Sequence, residues 1–168
     1  MNILHLNVFF NSFYLTTLEH LFFAFLAGFG FGFALNAPRK ALWWSGFLAG
    51  FGHTFRSFVM VLPVFNFAGA SFITSLLMGF LGALIAKKLK TPVEVVVFPA
   101  LLPMFPGRYG CESIISLLHF LGDHDDPSRL TDLLAFFNKL MVTFSVSLAL
   151  VAGVLVVLPF FSDKKIKH

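Results

Sequence analysis

The sequence predicts an all-α integral membrane protein with five transmembrane helices, the fourth broken at a proline/glycine motif. Three observations carry that prediction. Of 168 residues, 58% are apolar and only 12% charged, with a mean hydropathy of +0.87, whereas soluble domains carry about 25% charged residues. Twenty-five phenylalanines stand against two tyrosines and two tryptophans; Phe has no polar atom and suits lipid or a bundle interior. Five apolar segments, finally, approach or exceed the roughly 20 residues needed to cross a hydrocarbon core of about 30 Å.

The spans are expected at about 13–35, 41–62, 67–86, 93–121 and 140–161. The connections carry turn chemistry: Asn36-Ala37-Pro38, Pro63 to Asn66, Lys90-Thr91-Pro92, and Gly122 to Pro127. None is long enough to separate two domains, so residues 1–168 form one helical unit. Within the spans, Gly28 and Gly32, Gly46 and Gly50, and Ala149 and Gly153 stand four apart. In lipid, helices associate by close packing at small residues, so these pairs predict a compact bundle. Thr91-Pro92-Val93-Glu94 predicts a capping box with proline at the first helical position. Asp126, before Pro127, is a candidate cap for the fifth span.

Charge sets the expected orientation. Arg39 and Lys40 follow the first span, Lys87, Lys88 and Lys90 the third, and Lys164, Lys165 and Lys167 the fifth, which puts eight of the twelve positive charges on one side. The opposite side receives Asp123, Asp125 and Asp126 with Arg129 and Lys139. The positive-inside rule then places the N-terminus outside and the C-terminus in the cytoplasm. A re-entrant fourth segment is the competing topology. Met1 to Tyr14 shows no Lys or Arg and no cleavage pattern, so a removable signal peptide is not indicated.

Two groups of residues stand in the wrong solvent. An ionisable side chain within a span costs about 2.5 to 3.5 kcal/mol on insertion scales and is a functional candidate by default. His53 and Arg56 are such a pair, about 18 and 22 Å along the second span from Ala41; they read either as an anion-binding or proton-linked site, or as side chains satisfied by carbonyls or by an acidic neighbour elsewhere in the assembly. Glu19 and His20, near the outer end of the first span, are expected to reach water. The second group is the fourth segment, where Pro99, Pro103 and Pro106 each remove a backbone donor and Gly107 permits a sharp bend. Gly107 lies about 21 Å from Val93, level with Arg56. A helix restarting there would aim free N–H groups and a positive dipole end at a substrate carboxylate. Arg108 adds a cation nearby and Glu112, one turn on, can neutralise it.

The basic balance, net +4, is a topology signal and not a nucleic-acid footprint. A single cysteine, Cys111, excludes an internal disulfide. His119 and His124 do not read as a metal pair, no cofactor is implied, and the usual enzyme patterns are missing, so the chain is not expected to be an enzyme. The segments Asn36-Ala-Pro-Arg-Lys-Ala41, Gly52-His-Thr-Phe-Arg56 and Val97-Phe-Pro-Ala-Leu-Leu-Pro-Met-Phe-Pro-Gly107 resemble the threonine/serine exporter (ThrE) family, in particular its small split subunit of the YjjB type. The resemblance implies an exporter of threonine, serine or related small carboxylates in the bacterial inner membrane, working with a larger YjjP-type subunit. By position, His53, Arg56, Pro103, Pro106 and Gly107 match the family motifs, while Arg108 and Glu112 depart from the small or apolar residues usual after that glycine. The alternative is a structural subunit that scaffolds a partner holding the site. A pore is weaker, since no helix carries a polar stripe. No segment repeats within the chain, so transport requires a partner or self-association.

Overall fold

The computed structural model describes residues 3–122 and 129–161, with side chains from Leu18 onward. The expectations placed on Asp123, His124, Asp125, Asp126, Lys164, Lys165 and Lys167 fall outside the described residues. Those described form six helices: α1 (Ile3–Ala34), α2 (Arg39–Val61), α3 (Phe67–Leu89), α4 (Val93–Leu101), α5 (Gly107–Gly122) and α6 (Arg129–Phe161). A 3-10 turn, Leu102–Met104, follows α4.

The turns end the helices by identifiable means. After α1, Asn36 takes a left-handed φ of 54°; its N–H donates to Phe33 O while that of Ala37 donates to Gly32 O. These two bonds satisfy carbonyls that a helix end leaves orphaned, and Pro38 prevents continuation. Lys90 repeats the device after α3, with φ 56° and a Thr91 N–H bond to Ala86 O, again before a proline. Asn66 caps α3 by accepting the Gly69 N–H at 2.8 Å. The capping box at Thr91 does not form. Pro92 occupies the N-cap with no side-chain bond, Thr91 Oγ1 is buried without a partner, and Glu94 is exposed. The left-handed Lys90 turn uses the Thr91 main chain to close α3, which removes that residue from the start of α4.

Small residues set the packing. Gly28 faces Ala49 and Ser45, Gly32 faces Leu42, Gly46 faces Phe25, and Gly50 faces Leu21. The expected pairs on α1 and α2 thus meet each other, and the helices run antiparallel as the short turn at 36–38 demands. At Gly153 a Cβ would press on the main chain of Phe72 and Leu76, which brings α6 against α3; there Ser75 Oγ donates to Phe72 O and, across the interface, to Ala149 O at 3.2 Å. Innermost is α4, which packs against α1, α2 and α3 and buries Val96, Val97, Pro99 and Ala100.

Register shows how far the elements extend. Phe67 and Ala68, at the start of α3, lie beside Met141, Val142 and Ser145 of α6, while Gly79 lies beside Val154 and Val157. α3 and α6 therefore run parallel, and residues 129–142 of α6 reach about 20 Å beyond the start of α3 at 1.5 Å per residue. That extension pairs antiparallel with α5, where Gly110 faces Thr143 and Arg129 Nε donates to Phe120 O at 3.2 Å. Both α1 and α6 begin about ten residues earlier than the sequence suggests. For α6 the reason is that Arg129 and Lys139, which read as loop charges, sit on a helix whose other positions are mostly apolar.

By length and composition alone, α3 and α6 could each cross a membrane. The apolar stretch Leu18–Ala34 of α1 is slightly shorter, and neither half of the divided fourth segment has span length. α2 is long enough, but Arg39, Lys40, His53 and Arg56 dilute it. Length and composition together therefore support two crossings among the described residues, and five are not established.

Candidate functional site

The fourth segment is broken where its prolines fall. α4 accommodates Pro99 and ends at Leu101, the chain tightens into the Leu102–Met104 turn, Phe105 is extended (φ −61°, ψ 136°), and α5 begins at Gly107. Pro103 falls inside the turn and Pro106 is buried just before the restart. Neither has an N–H, so a continuous helix would lack two rungs and meet two ring clashes. The interruption leaves carbonyls without helical donors.

Arg56 answers one of them. Its side chain is buried, with 7% of the residue's surface exposed, and Nη1 donates to Met104 O at 2.8 Å. The guanidinium also lies 5.3 Å from the Phe67 ring centroid, within cation–π range, and Phe67 in turn contacts the Tyr109 ring at 5.9 Å. Nη2 lies 3.3 Å from His53 Nε2. α2, α3, the turn after α4 and the first turn of α5 are thus tied at one level by a single cation. The expected meeting of Arg56 with the break is present, with a main-chain carbonyl as the partner.

His20 is the residue that sequence reasoning missed. It is exposed, as expected, yet its ring stacks on that of His53 with centroids 5.5 Å apart and planes 20° from parallel. The signal was in the turn: a tight reversal centred between Asn36 and Ala37 opposes residue i to about residue 73 − i, which pairs 20 with 53.

Arg108 and Glu112 are not brought to Arg56. Arg108 is almost fully solvent-facing, 88% exposed in its side chain, and donates from Nε to Glu112 Oε1 at 2.7 Å. Glu112 Oε2 lies 3.4 Å from Lys139 Nζ, so this cluster joins α5 to α6 outside the Arg56 level. The Gly107 N–H is donated to Phe105 O and that of Gly110 to Pro106 O. In the first turn of α5 this leaves the N–H groups of Arg108 and Tyr109, which the helix itself cannot satisfy. A cleft of about 1040 Å³ opens elsewhere, at the opposite end of α3 and α4, lined by Lys87, Lys90, Glu94 and Pro159 among others. No group of three or more His, Cys, Asp or Glu able to hold a metal occurs among the described residues.

A buried cation clamped on an interrupted apolar helix can exchange a single bond to a neutral carbonyl for an ion pair, because a guanidinium and a carboxylate add opposite charge and a bidentate geometry that a carbonyl lacks. No solved structure matches the chain. The model of a family described as threonine/serine exporter, ThrE, matches residues 20–159, a stretch that takes in His20, His53, Arg56 and the whole break. The chain belongs to the threonine/serine exporter (ThrE) family, a family of membrane transporters.

Proposed function

We propose that this protein is a YjjB-type membrane subunit of a secondary exporter of threonine, serine or related small carboxylates, acting in the bacterial inner membrane with a larger YjjP-type subunit. It crosses five times, α4, the turn and α5 making one interrupted crossing, with the N-terminus outside and the C-terminus in the cytoplasm. The observation that carries this reading is the buried Arg56 held on the Met104 carbonyl at the interruption. A substrate carboxylate displaces that carbonyl and takes the guanidinium. His53, Pro103, Pro106 and Gly107 shape the pocket, and the free first-turn N–H groups of α5 lie within a turn of it. Arg108 and Glu112 act at its outer rim, on the hairpin.

The test is Arg56→Ala in vesicles loaded with labelled threonine. A hydrogen bond to a charged group contributes about 1.5–3 kcal/mol, so efflux at limiting substrate falls about 10- to 100-fold while the assembled complex is still recovered. Unchanged efflux removes Arg56 from the site. It favours the second reading, a scaffolding subunit, for which the support is that Met104 O and His53 already occupy Arg56 within the chain.

A further inference from the structure

The bonding around Arg56 dictates the protonation state of its neighbour. A guanidinium is all donors and has no lone pair to offer, so the 3.3 Å contact between Arg56 Nη2 and His53 Nε2 requires the lone pair on Nε2. His53 is therefore neutral, and its one ring proton resides on Nδ1. That atom is buried with no partner, an arrangement that costs free energy unless something else uses it.

A second proton has one place to go. It binds Nε2, turns the acceptor into a donor, and sets an imidazolium against a guanidinium at the same short distance. The groups facing His53 do nothing to offset that pairing. On its own helix the neighbour is Arg56, and on α1 it is His20, itself a base; Glu19 is exposed beside it. The charged residues of α3 and α4 are Lys87, Lys88 and Glu94, all at the opposite end of those helices.

We infer that His53 is a proton-operated latch on the broken helix: protonation at Nε2 expels Arg56 from its contact, loosens its hold on the Met104 carbonyl and frees the guanidinium for a carboxylate. Atoms balance simply, since one proton taken from water on the His20 side becomes the Nε2–H of an imidazolium. By linkage, a carboxylate seated on Arg56 must in return favour the protonated ring. This deepens the exporter reading and rests on it for the identity of the anion; the His53–Arg56 antagonism itself is independent of transport.

The experiment is histidine side-chain ¹⁵N NMR on the full chain in lipid nanodiscs, with His53→Gln identifying the His53 signals. At neutral pH the latch requires a neutral ring protonated at Nδ1. In Arg56→Gln, whose amide oxygen can accept from an imidazolium, the ring should take its second proton at a pH higher by about one unit, a tenfold gain in proton affinity. A ring protonated at Nε2, a ring already charged at neutral pH, or titration unmoved by Arg56→Gln overturns the latch. The second measurement is threonine efflux at pH 4.5 relative to pH 7.5, a range low enough to protonate a buried ring that stands beside a guanidinium. That ratio departs from one in the wild type and returns to about one in His53→Gln, whatever the variant's absolute rate, because glutamine keeps an acceptor for Arg56 but cannot titrate. A wild-type ratio of one, or a His53→Gln ratio that keeps the wild-type value, overturns the latch as a control on transport. Absence of efflux of threonine, serine and related small carboxylates from vesicles holding both subunits, alongside the expected NMR behaviour, sinks the exporter reading and leaves the latch standing.

Discussion

The bundle around α4 and the hairpin formed by α5 with the first half of α6 differ in what crosses between their helices. In the bundle, helices approach until main chain meets main chain, at Gly28 on Ser45 and Gly46 and at Gly153 on Phe72 and Leu76. In the hairpin, charged side chains cross between the pair: Arg108, Glu112 and Lys139 form a chain of charges and Arg129 donates to Phe120 O, while the buried Ser113 and Ser116 bond to carbonyls of their own helix. Its outward positions are Ile114, Leu118 and Leu121 on α5 and Leu130, Leu134, Phe137 and Met141 on α6. Like the bundle, which buries Ser45, Ser71, Thr74 and Ser75, the hairpin keeps hydroxyls within and apolar groups without, as helices in an apolar medium do. The break between α4 and α5 separates one kind of joint from the other. A transporter needs such a boundary, because one part must stay fixed while another moves around the site.

The largest effect that sharpens this contrast is expected at Gly153. A methyl group there collides first with the Ser75 hydroxyl, which can rotate away, and then with Phe72 O and Leu76 N at 2.7 and 2.9 Å, main-chain atoms with no freedom to yield. Overpacking of that kind costs about 1–3 kcal/mol or more. Gly153→Ala should lower the midpoint of thermal unfolding in detergent by several degrees and reduce recovery of folded protein. Gly30→Ala is the control, since nothing lies within 4 Å of its added carbon. Relief of glycine's backbone entropy should leave that variant equal to or more stable than the parent by about 0.5–1 kcal/mol. Equal behaviour of the two would mean that α3 and α6 are not in main-chain contact.

A smaller effect is expected at Ser75, which bridges the same interface by donating to Ala149 O at 3.2 Å. Hydrogen bonds between helices in a membrane protein average about 0.6 kcal/mol, with a maximum near 1.7. Ser75→Ala should therefore cost well under what Gly153→Ala costs, measured by the same unfolding assay. A loss as large as at Gly153 would make the polar bond, and not close approach, the basis of the bundle.

How much of this was legible beforehand follows the same division. The small-residue pairs declared the bundle, because spacing by four on a helix fixes a face whatever the surroundings. Pro103, Pro106 and Gly107 declared the break, since neither ring can sit within a helix without loss. The partner of Arg56 was not legible: a carbonyl is present at every residue, and only the fold selects that of Met104. The His20–His53 stack could have been found from the tightness of the turn at Asn36. The capping box at Thr91 looked correct locally but was overruled by Lys90, whose left-handed turn gave the Thr91 N–H to α3. The long start of α6 was hidden because Arg129 and Lys139 look like loop charges unless α5 is known to lie alongside and place Glu112 opposite Lys139.

The smallest effect, and the one that isolates the hairpin, is expected at Glu112. Its carboxylate is shared by Arg108 on its own helix and Lys139 on α6, both only partly enclosed by the chain, and pairs of that kind are weak and screened by salt where water reaches them. Glu112→Gln should leave the unfolding midpoint of the bundle unchanged while amide hydrogens of α5 and residues 129–142 exchange faster. The difference from wild type should shrink as ionic strength rises from about 0.01 to 1 M, since the screening length falls from about 30 to 3 Å. Faster exchange that spreads into α3 or α4 would mean that the break transmits disorder instead of confining it, and the two regions would then have to be treated as one cooperative body.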